Sequence, residues 1–291
     1  MTCTFLFATP THSAADSQGD QLAGADSLFA QGRYFEASIA YERVYFRPAS
    51  ARQQVRANLG KAAAMKQMGD FAGAGRDLQR SLAYRADDSL RQEVLYELAF
   101  CAYMSGGLAR TQSFLMQYRH GLEGGIPGSR IFLLEGLVMA EQGEWEALRL
   151  HLEQWSSHSD SGPRMQNELL GRYDELLISH GAGEKPKDAR KARRWSTFVP
   201  GAGQIYAGEP GWGALNAFSQ LAALGGAVLL GWHSYYIAGG VLGLGTFQSL
   251  YFGGIRHAAE LAEAYNNSHQ ERIRAAVGTF LIRVAPDLST T

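Results

Sequence analysis

The chain has 291 residues, with 27 lysines and arginines against 28 aspartates and glutamates and a formal net charge of −1. That balance excludes a global electrostatic reason to bind nucleic acid or another acidic polymer. Two cysteines, Cys3 and Cys101, cannot build a disulfide framework or a cysteine-based zinc site, and the length suits two domains better than one.

Residues 1–15 carry a short apolar patch followed by the small residues Ser13, Ala14 and Ala15. Two readings stand: an export signal clipped at its start, with cleavage near Ala15, and a plain soluble N-terminus.

Over residues 16–181 the sequence repeats. Gly32, Gly69, Gly106 and Gly143 recur every 37 residues. Small residues stand seven positions before each glycine (Ala25, Ala62, Ala99, Gly136), and apolar ones four before (Leu28, Met65, Ala102, Met139). Bulky residues follow two positions after it (Tyr34, Phe71, Leu108, Trp145) and nine after (Tyr41, Leu78, Leu115, Leu152). Two antiparallel helices joined by a tight turn need a residue tolerant of positive φ at the turn. They also need small residues where they approach, and bulky ones in the groove between pairs. The pattern predicts an all-α chain of four helix pairs. Beyond them, residues 164–181 place Leu169, Leu170, Tyr173, Leu176 and Leu177 on one face, which predicts a capping helix.

The quartets Ala25, Gly32, Tyr34, Ala37 and Ala62, Gly69, Phe71, Ala74 resemble the tetratricopeptide repeat; Thr111 and Leu148 depart from the family's alanine in units three and four. The resemblance implies a solenoid whose first helices line a concave face. Arg56, Lys66, Glu93, Tyr96, Phe100, Tyr103 and Met104 would lie there, as contacts for a peptide or helix of a protein partner. Ordinary core packing of Tyr96, Phe100 and Tyr103 is the alternative. Asp26, Ala63, Phe100 and Leu137 stand where chaperone-binding members carry the asparagine of a carboxylate clamp, so a chaperone terminus is not implied.

Residues 182–195 form a basic linker, with Lys185, Lys187, Arg190, Lys191, Arg193 and Arg194, and read as a juxtamembrane helix facing lipid headgroups. Residues 212–231 and 235–255 contain no charge, and each run is about the 20 residues that cross a bilayer. They predict a two-helix membrane hairpin within 196–267; a buried soluble helix pair is the alternative. Trp232, Tyr235 and Tyr236 would sit at one interface, and Trp195, Tyr206 and Trp212 at the other. Ala223, Ala227 and Gly231, facing Gly239 and Gly243, would let the helices approach, and Asn216, Gln220 and Gln248 are polar within the spans. Residues 268–291 read as a polar, amphipathic tail.

The glycine-rich stretch 196–213 fails as a nucleotide loop. Tyr206 stands where a third glycine is required, and no Gly-Lys-Ser/Thr follows. Ser196, Pro200, Gly201, Gly203, Gln204, Tyr206 and Gly208 instead resemble an S-x-x-x-P-G-x-G-Q-x-Y-x-G signature that precedes membrane hairpins in small bacterial proteins. Glu209 departs from the basic residue usual there. The whole chain resembles a bacterial family that joins such repeats to such a hairpin behind an export signal. Members mostly lack assigned functions, and the residues themselves suggest a scaffold at the bacterial inner membrane, with lipid and a protein partner, no nucleic acid, no cofactor and an oligomer through the hairpin as an option; the resemblance implies repeats on the periplasmic side. The basic flanks, including Arg256, Arg272 and Arg274, argue for cytoplasmic repeats instead. A second class of function is an accessory subunit of a transport or envelope-biogenesis complex, with Asn216, Gln220 and Gln248 forming a polar seam in an assembly.

No catalytic or metal constellation is expected. His151 and His158, near Glu153 and Asp160, match no metal-ligand spacing and read as solvated surface, and His257 with Glu260 is a lone pair.

Overall fold

The computed structural model describes residues 14–48, 50–83, 87–122, 128–158 and 163–289, with backbone alone at 14–20, 158 and 286–289. All secondary structure among the described residues is helical. The signal-peptide reading and Asp160 lie outside them, apart from Ala14 and Ala15, which open the first helix.

Residue contacts divide the chain into two units, Met1–Asp160 with Val284–Thr291, and Ser161–Arg283. In the first, helices alternate as α1 (Ala14–Ala30), α2 (Tyr34–Phe46), α3 (Ala51–Gln67), α4 (Phe71–Ser81), α5 (Asp88–Met104), α6 (Leu108–His120), α7 (Ser129–Gln142) and α8 (Trp145–His158). The architecture is helical and repeat-like.

The periodic residues fall where the spacing predicts. Gly32, Gly69, Gly106 and Gly143 have φ of 75°, 81°, 74° and 73°. At each one the next amide donates across the turn, from Arg33 to Leu28, Asp70 to Met65, Gly107 to Ala102 and Glu144 to Met139, at 2.8–3.0 Å. The acceptors are the residues four before each glycine, so the apolar repeat position also supplies the carbonyl that ends the helix. Ala25, Ala62 and Ala99 are buried, as are Ala37 and Ala74 opposite them and the bulky Tyr41, Leu78, Leu115 and Leu152. Thr111, at a position the family fills with alanine, is buried because its hydroxyl donates to the Gly107 carbonyl at 3.1 Å.

Polar ties set adjacent helices in register. The buried Asn58 amide of α3 donates to the Asp77 carbonyl at 2.7 Å and the Ser81 hydroxyl at 2.6 Å in α4, while Lys61 bridges Glu42 at 2.6 Å and Asp77 at 2.5 Å. Asp26, at a would-be clamp position, accepts from the buried Tyr41 hydroxyl at 2.6 Å. Cys101 is buried within the α3–α5 core, and burial pushes its thiol up to about 11, so it is not a reactive thiolate at neutral pH.

The second unit contains α9 (Pro163–Ser179), α10 (Ala189–Phe198), the short α11 (Ala202–Tyr206), α12 (Pro210–Trp232), α13 (Tyr236–Ala238), a π-helical turn over Gly239–Leu244 and, as far as Arg283, α14 (Gly245–Ser289). The predicted capping helix α9 therefore groups with the second unit, where buried Tyr173 meets Phe280 of α14 at 6.0 Å between ring centroids. Of the tail expected at 268–291, residues 268–289 are the continuation of α14, with Ile273, Val277, Phe280 and Leu281 buried.

Replacing Gly106 with alanine isolates the turn conformation, because a Cβ there meets nothing within 4 Å. Gly106→Ala is expected to lower the urea-unfolding stability by about 1–2 kcal/mol, the cost of a side chain in the left-handed region, and Gly106→Asn by less.

Candidate functional site

On the repeats, Glu93, Tyr96, Phe100, Tyr103 and Met104 lie on α5, and Arg56 and Lys66 lie on α3. Tyr96 and Phe100 stack at 6.3 Å, Phe71 meets Phe100 edge-on at 6.1 Å, Lys66 lies 5.4 Å over the Phe100 ring and Arg130 4.8 Å over Tyr96. Lys66 also pairs with Glu97. Arg56, Glu93 and Met104 are exposed. Tyr96, Phe100 and Tyr103 are half-buried against the Ala99, Leu115, Ile131, Leu134 and Val138 core, so each takes part in packing while remaining partly exposed. A cleft of about 340 Å³ opens beside Glu93, Tyr96 and Arg130.

His151 contradicts its reading as solvated surface. It is 4 % exposed, its Nε2 lies 2.8 Å from the Phe132 carbonyl, and Glu135, itself buried, lies 4.0 Å away while accepting two bonds of 2.5 Å from Arg119. The bond to a carbonyl makes Nε2 the protonated nitrogen, and burial holds the imidazole below its ordinary value. The missed signal was helical spacing: Leu148, His151, Leu152 and Trp155 share one buried face. Among the described residues no three His, Cys, Asp or Glu side chains gather as a metal set.

In the second unit, the glycine-rich signature folds onto itself. Ser196 and Gln204 are buried. The Ser196 hydroxyl donates to Gln204 Oε1 at 3.0 Å and accepts from the Gly203 amide at 3.1 Å, and Gln204 Nε2 donates to the Gly254 carbonyl of α14 at 2.8 Å. Pro200 and Gly201 separate α10 from α11. Gly201 has φ 88°, and a Cβ on it would lie 2.1 Å from the Gly213 carbonyl oxygen, so the start of α12 is laid directly on this turn. Gly208 repeats the helix-ending turn with φ 96°. Tyr206 accepts from the Asp188 amide at 3.1 Å. Gln204 and Tyr206 thus bond within the protein.

The linker is likewise built in at one end. The Lys187 amide donates to Asn266 Oδ1, Asn266 Nδ2 donates back to the Lys187 carbonyl, both at 2.8 Å, and Lys187 Nζ donates to the Ala207 carbonyl at 2.9 Å while lying 3.5 Å over the Tyr265 ring. Ala192, Ala207, Ala258 and Ala262 fill the space between α10, α11 and α14. This clasp joins positions 79 residues apart, which no local pattern reports.

After the turn at 233–235, where Ser234 takes φ 65°, the chain returns along α12. A Cβ on Gly243 would lie 2.3 Å from the Ala227 Cβ, and one on Gly239 3.1 Å from the Ala227 carbonyl, while Ala223 is half-buried. Gly231 plays a different part: a Cβ there would meet nothing within 4 Å, and its carbonyl instead accepts the Ser234 amide at 3.0 Å. Gln220 is buried and donates to Asn216 at 3.1 Å, with Asn216 Nδ2 and Gln220 Oε1 left unpaired. Gln248 is exposed, one residue off the line Gly243, Phe247, Tyr251, Gly254, and does not join them.

Among the described residues one helix, Pro210–Trp232, is long and apolar enough to cross a membrane, and 11 % of its most apolar stretch is buried. Its 23 residues extend about 34 Å. Exposed apolar side chains run on through Phe198 (83 %), Phe218, Leu221, Val228, Trp232 (85 %), Ile237 (85 %) and Leu242. Trp195 and Trp212 are exposed at one end of this belt, Trp232, Tyr235 and Tyr236 at the other.

Gln204→Leu is expected to cost about 1–3 kcal/mol, since it strands the Ser196 hydroxyl and the Gly254 carbonyl; thermal unfolding in detergent measures it. For His151, a depressed folded value means that the unfolded chain takes the proton first. Its stability contribution is whole above about pH 6.5 and is lost as pH falls through that value. His151→Gln, which keeps a donor toward Phe132, is expected to flatten the decline in urea midpoint between pH 7 and 5.

Compared with known proteins, the chain matches no family model, no curated protein and no solved structure.

Proposed function

We propose that the chain is a membrane-anchored interaction scaffold: a tetratricopeptide-like solenoid that holds a protein partner, fixed to the bacterial inner membrane by a two-helix hairpin. The observation that carries the anchor is the bare apolar surface of Pro210–Trp232 and its return strand of helix, since a soluble protein rarely leaves so large an apolar surface in water. Length supports it: about 34 Å of helix matches a hydrocarbon core of about 30 Å. Aromatic residues at both ends fit the two interfaces. For the solenoid, support comes from four equal glycine turns and the buried small-residue pairs between helices. The partly exposed Tyr96 and Phe100, overlaid by Arg130 and Lys66 and neighboured by Glu93, form a mixed aromatic and charged surface for a peptide or helix. The reading assigns no catalytic step and no cofactor.

Both flanks of the hairpin lie on one side of the membrane in this reading, and the repeats are placed on the periplasmic side. A reporter after Thr291 tests this. Alkaline phosphatase activity there is the expected result, and a bright cytoplasmic fluorescent fusion overturns the sidedness while leaving the anchor intact.

The second reading, a transport or envelope-biogenesis accessory, draws its support from the unpaired amide atoms of Asn216 and Gln220. Its seam is short within one chain because Gln248 faces outward. Photo-crosslinking from position 93 in cells is expected to capture a discrete partner that Tyr96→Ala with Phe100→Ala loses. If those substitutions are silent and Asn216→Leu abolishes the phenotype of a deletion-complemented strain, the scaffold reading fails.

A further inference from the structure

The charge on α10 runs against what the helix itself needs. Arg190, Lys191, Arg193 and Arg194 crowd the first six residues of α10, where the helix dipole disfavours cations. All four side chains are exposed, and among the described residues none forms an ion pair or side-chain hydrogen bond. The nearest carboxylate, Asp188, is spent capping the Arg190 and Lys191 amides at 2.7 and 3.3 Å. Lys187 is consumed by the clasp. The four unpaired cations thus add their fields to the positive end of a helix whose cap is the single carboxylate of Asp188.

Their direction is fixed by the buried face. Ala192 and Ser196 anchor α10 against α11 and α14, and Gln204 locks that contact to Gly254. The outward surface changes character along the axis: cations first, then Trp195 and Phe198, then Val199 and, across the Gly201 turn, Trp212 at the start of α12. On α14, exposed Arg256 adjoins His257, whose ring meets Trp212 edge-on at 5.3 Å. A sequence of cationic, aromatic and aliphatic surface is the depth profile of a lipid monolayer.

We propose that α10 and Arg256 form a collar that binds the phosphates of anionic phospholipids where the hairpin leaves the bilayer. The proposal rests on the membrane reading above. Charge complementarity selects the occupant: neutral headgroups offer no net charge to four unpaired cations, whereas anionic headgroups do, and each Lys or Arg near such a surface adds to the attraction. Nucleic acid fits less well, because Trp195 and Phe198 continue into the apolar belt instead of standing apart as stacking platforms.

The test uses the full chain in a Trp232→Phe background, leaving Trp195 and Trp212 as the membrane reporters. It is reconstituted into vesicles of equal phosphatidylcholine and phosphatidylglycerol, with bromine carried on one lipid or the other. Stronger tryptophan quenching by the brominated anionic lipid is expected. The difference is expected to disappear when Arg190, Lys191, Arg193 and Arg194 are all replaced by glutamine, while the variant still floats with the vesicles. Equal quenching by both lipids in the native chain overturns the collar, as does an unchanged preference in the variant. Retention of a single-stranded oligonucleotide without lipid preference overturns it in favour of nucleic acid. A native chain that floats with neither neutral nor anionic vesicles overturns the membrane reading itself, and so is distinguishable from failure of the collar alone.

Discussion

A helix that stops leaves its last carbonyls without donors, and in this chain one left-handed residue after the helix repeatedly restores them. Gly32, Gly69, Gly106 and Gly143 do this in the first unit, Gly181 and Gly208 in the second, and Ser234 at the tip of the returning pair. In each case the amide after the left-handed residue reaches back to the carbonyl five residues before it, as Ala182 does to Leu177 and Tyr235 to Leu230. The reversal brings the next helix alongside the last, and the small and large residues on the facing sides then decide how near it can come. Packing follows from this stop signal.

The two units use that device for different ends. In the first, equal spacing makes every pair alike, and side-chain ties such as Asn58 to Ser81 and Lys61 to Glu42 fix neighbours in register. In the second, the turns are crowded together at 201 and 208, so that α10, α11, α12 and α14 meet within a few residues of one another. Alanines provide the close fit there, and polar groups fasten it. A buried Ser–Gln pair at this junction provides the directionality that alanine packing lacks.

The sequence made the repeats legible because a positive-φ turn and a close helix contact each leave a local residue preference. A period of 37 exposes both at once. Leu148 shows the limit of the repeat pattern: it is fully buried at the position where the first two units carry Ala37 and Ala74, with no polar atom to satisfy. His151 was misread because charged neighbours such as Glu153 outweighed its helical register with Leu148 and Leu152. The Lys187–Asn266 clasp and the Gln204–Gly254 bond were invisible for another reason. They join positions far apart in sequence, and an amide or lysine carries no local sign of which distant carbonyl it will meet. Gln248 turned outward because a shift of one residue on a helix moves a side chain by about 100°, more than composition can resolve.

Gln204 and its acceptor Gly254 are separated by 50 residues, with the whole of α12 and the turn between them. During synthesis the glycine-rich junction therefore emerges well before the carbonyl that completes it. Until Gly254 has been made and α14 has folded back, Gln204 Nε2 lacks that acceptor. The bond acts as a latch that closes from the far side: the first apolar helix is free to seek its place, and the junction becomes rigid only when the second has returned beside it. A chain interrupted before Gly254 keeps its signature residues and loses the lock they were placed to form.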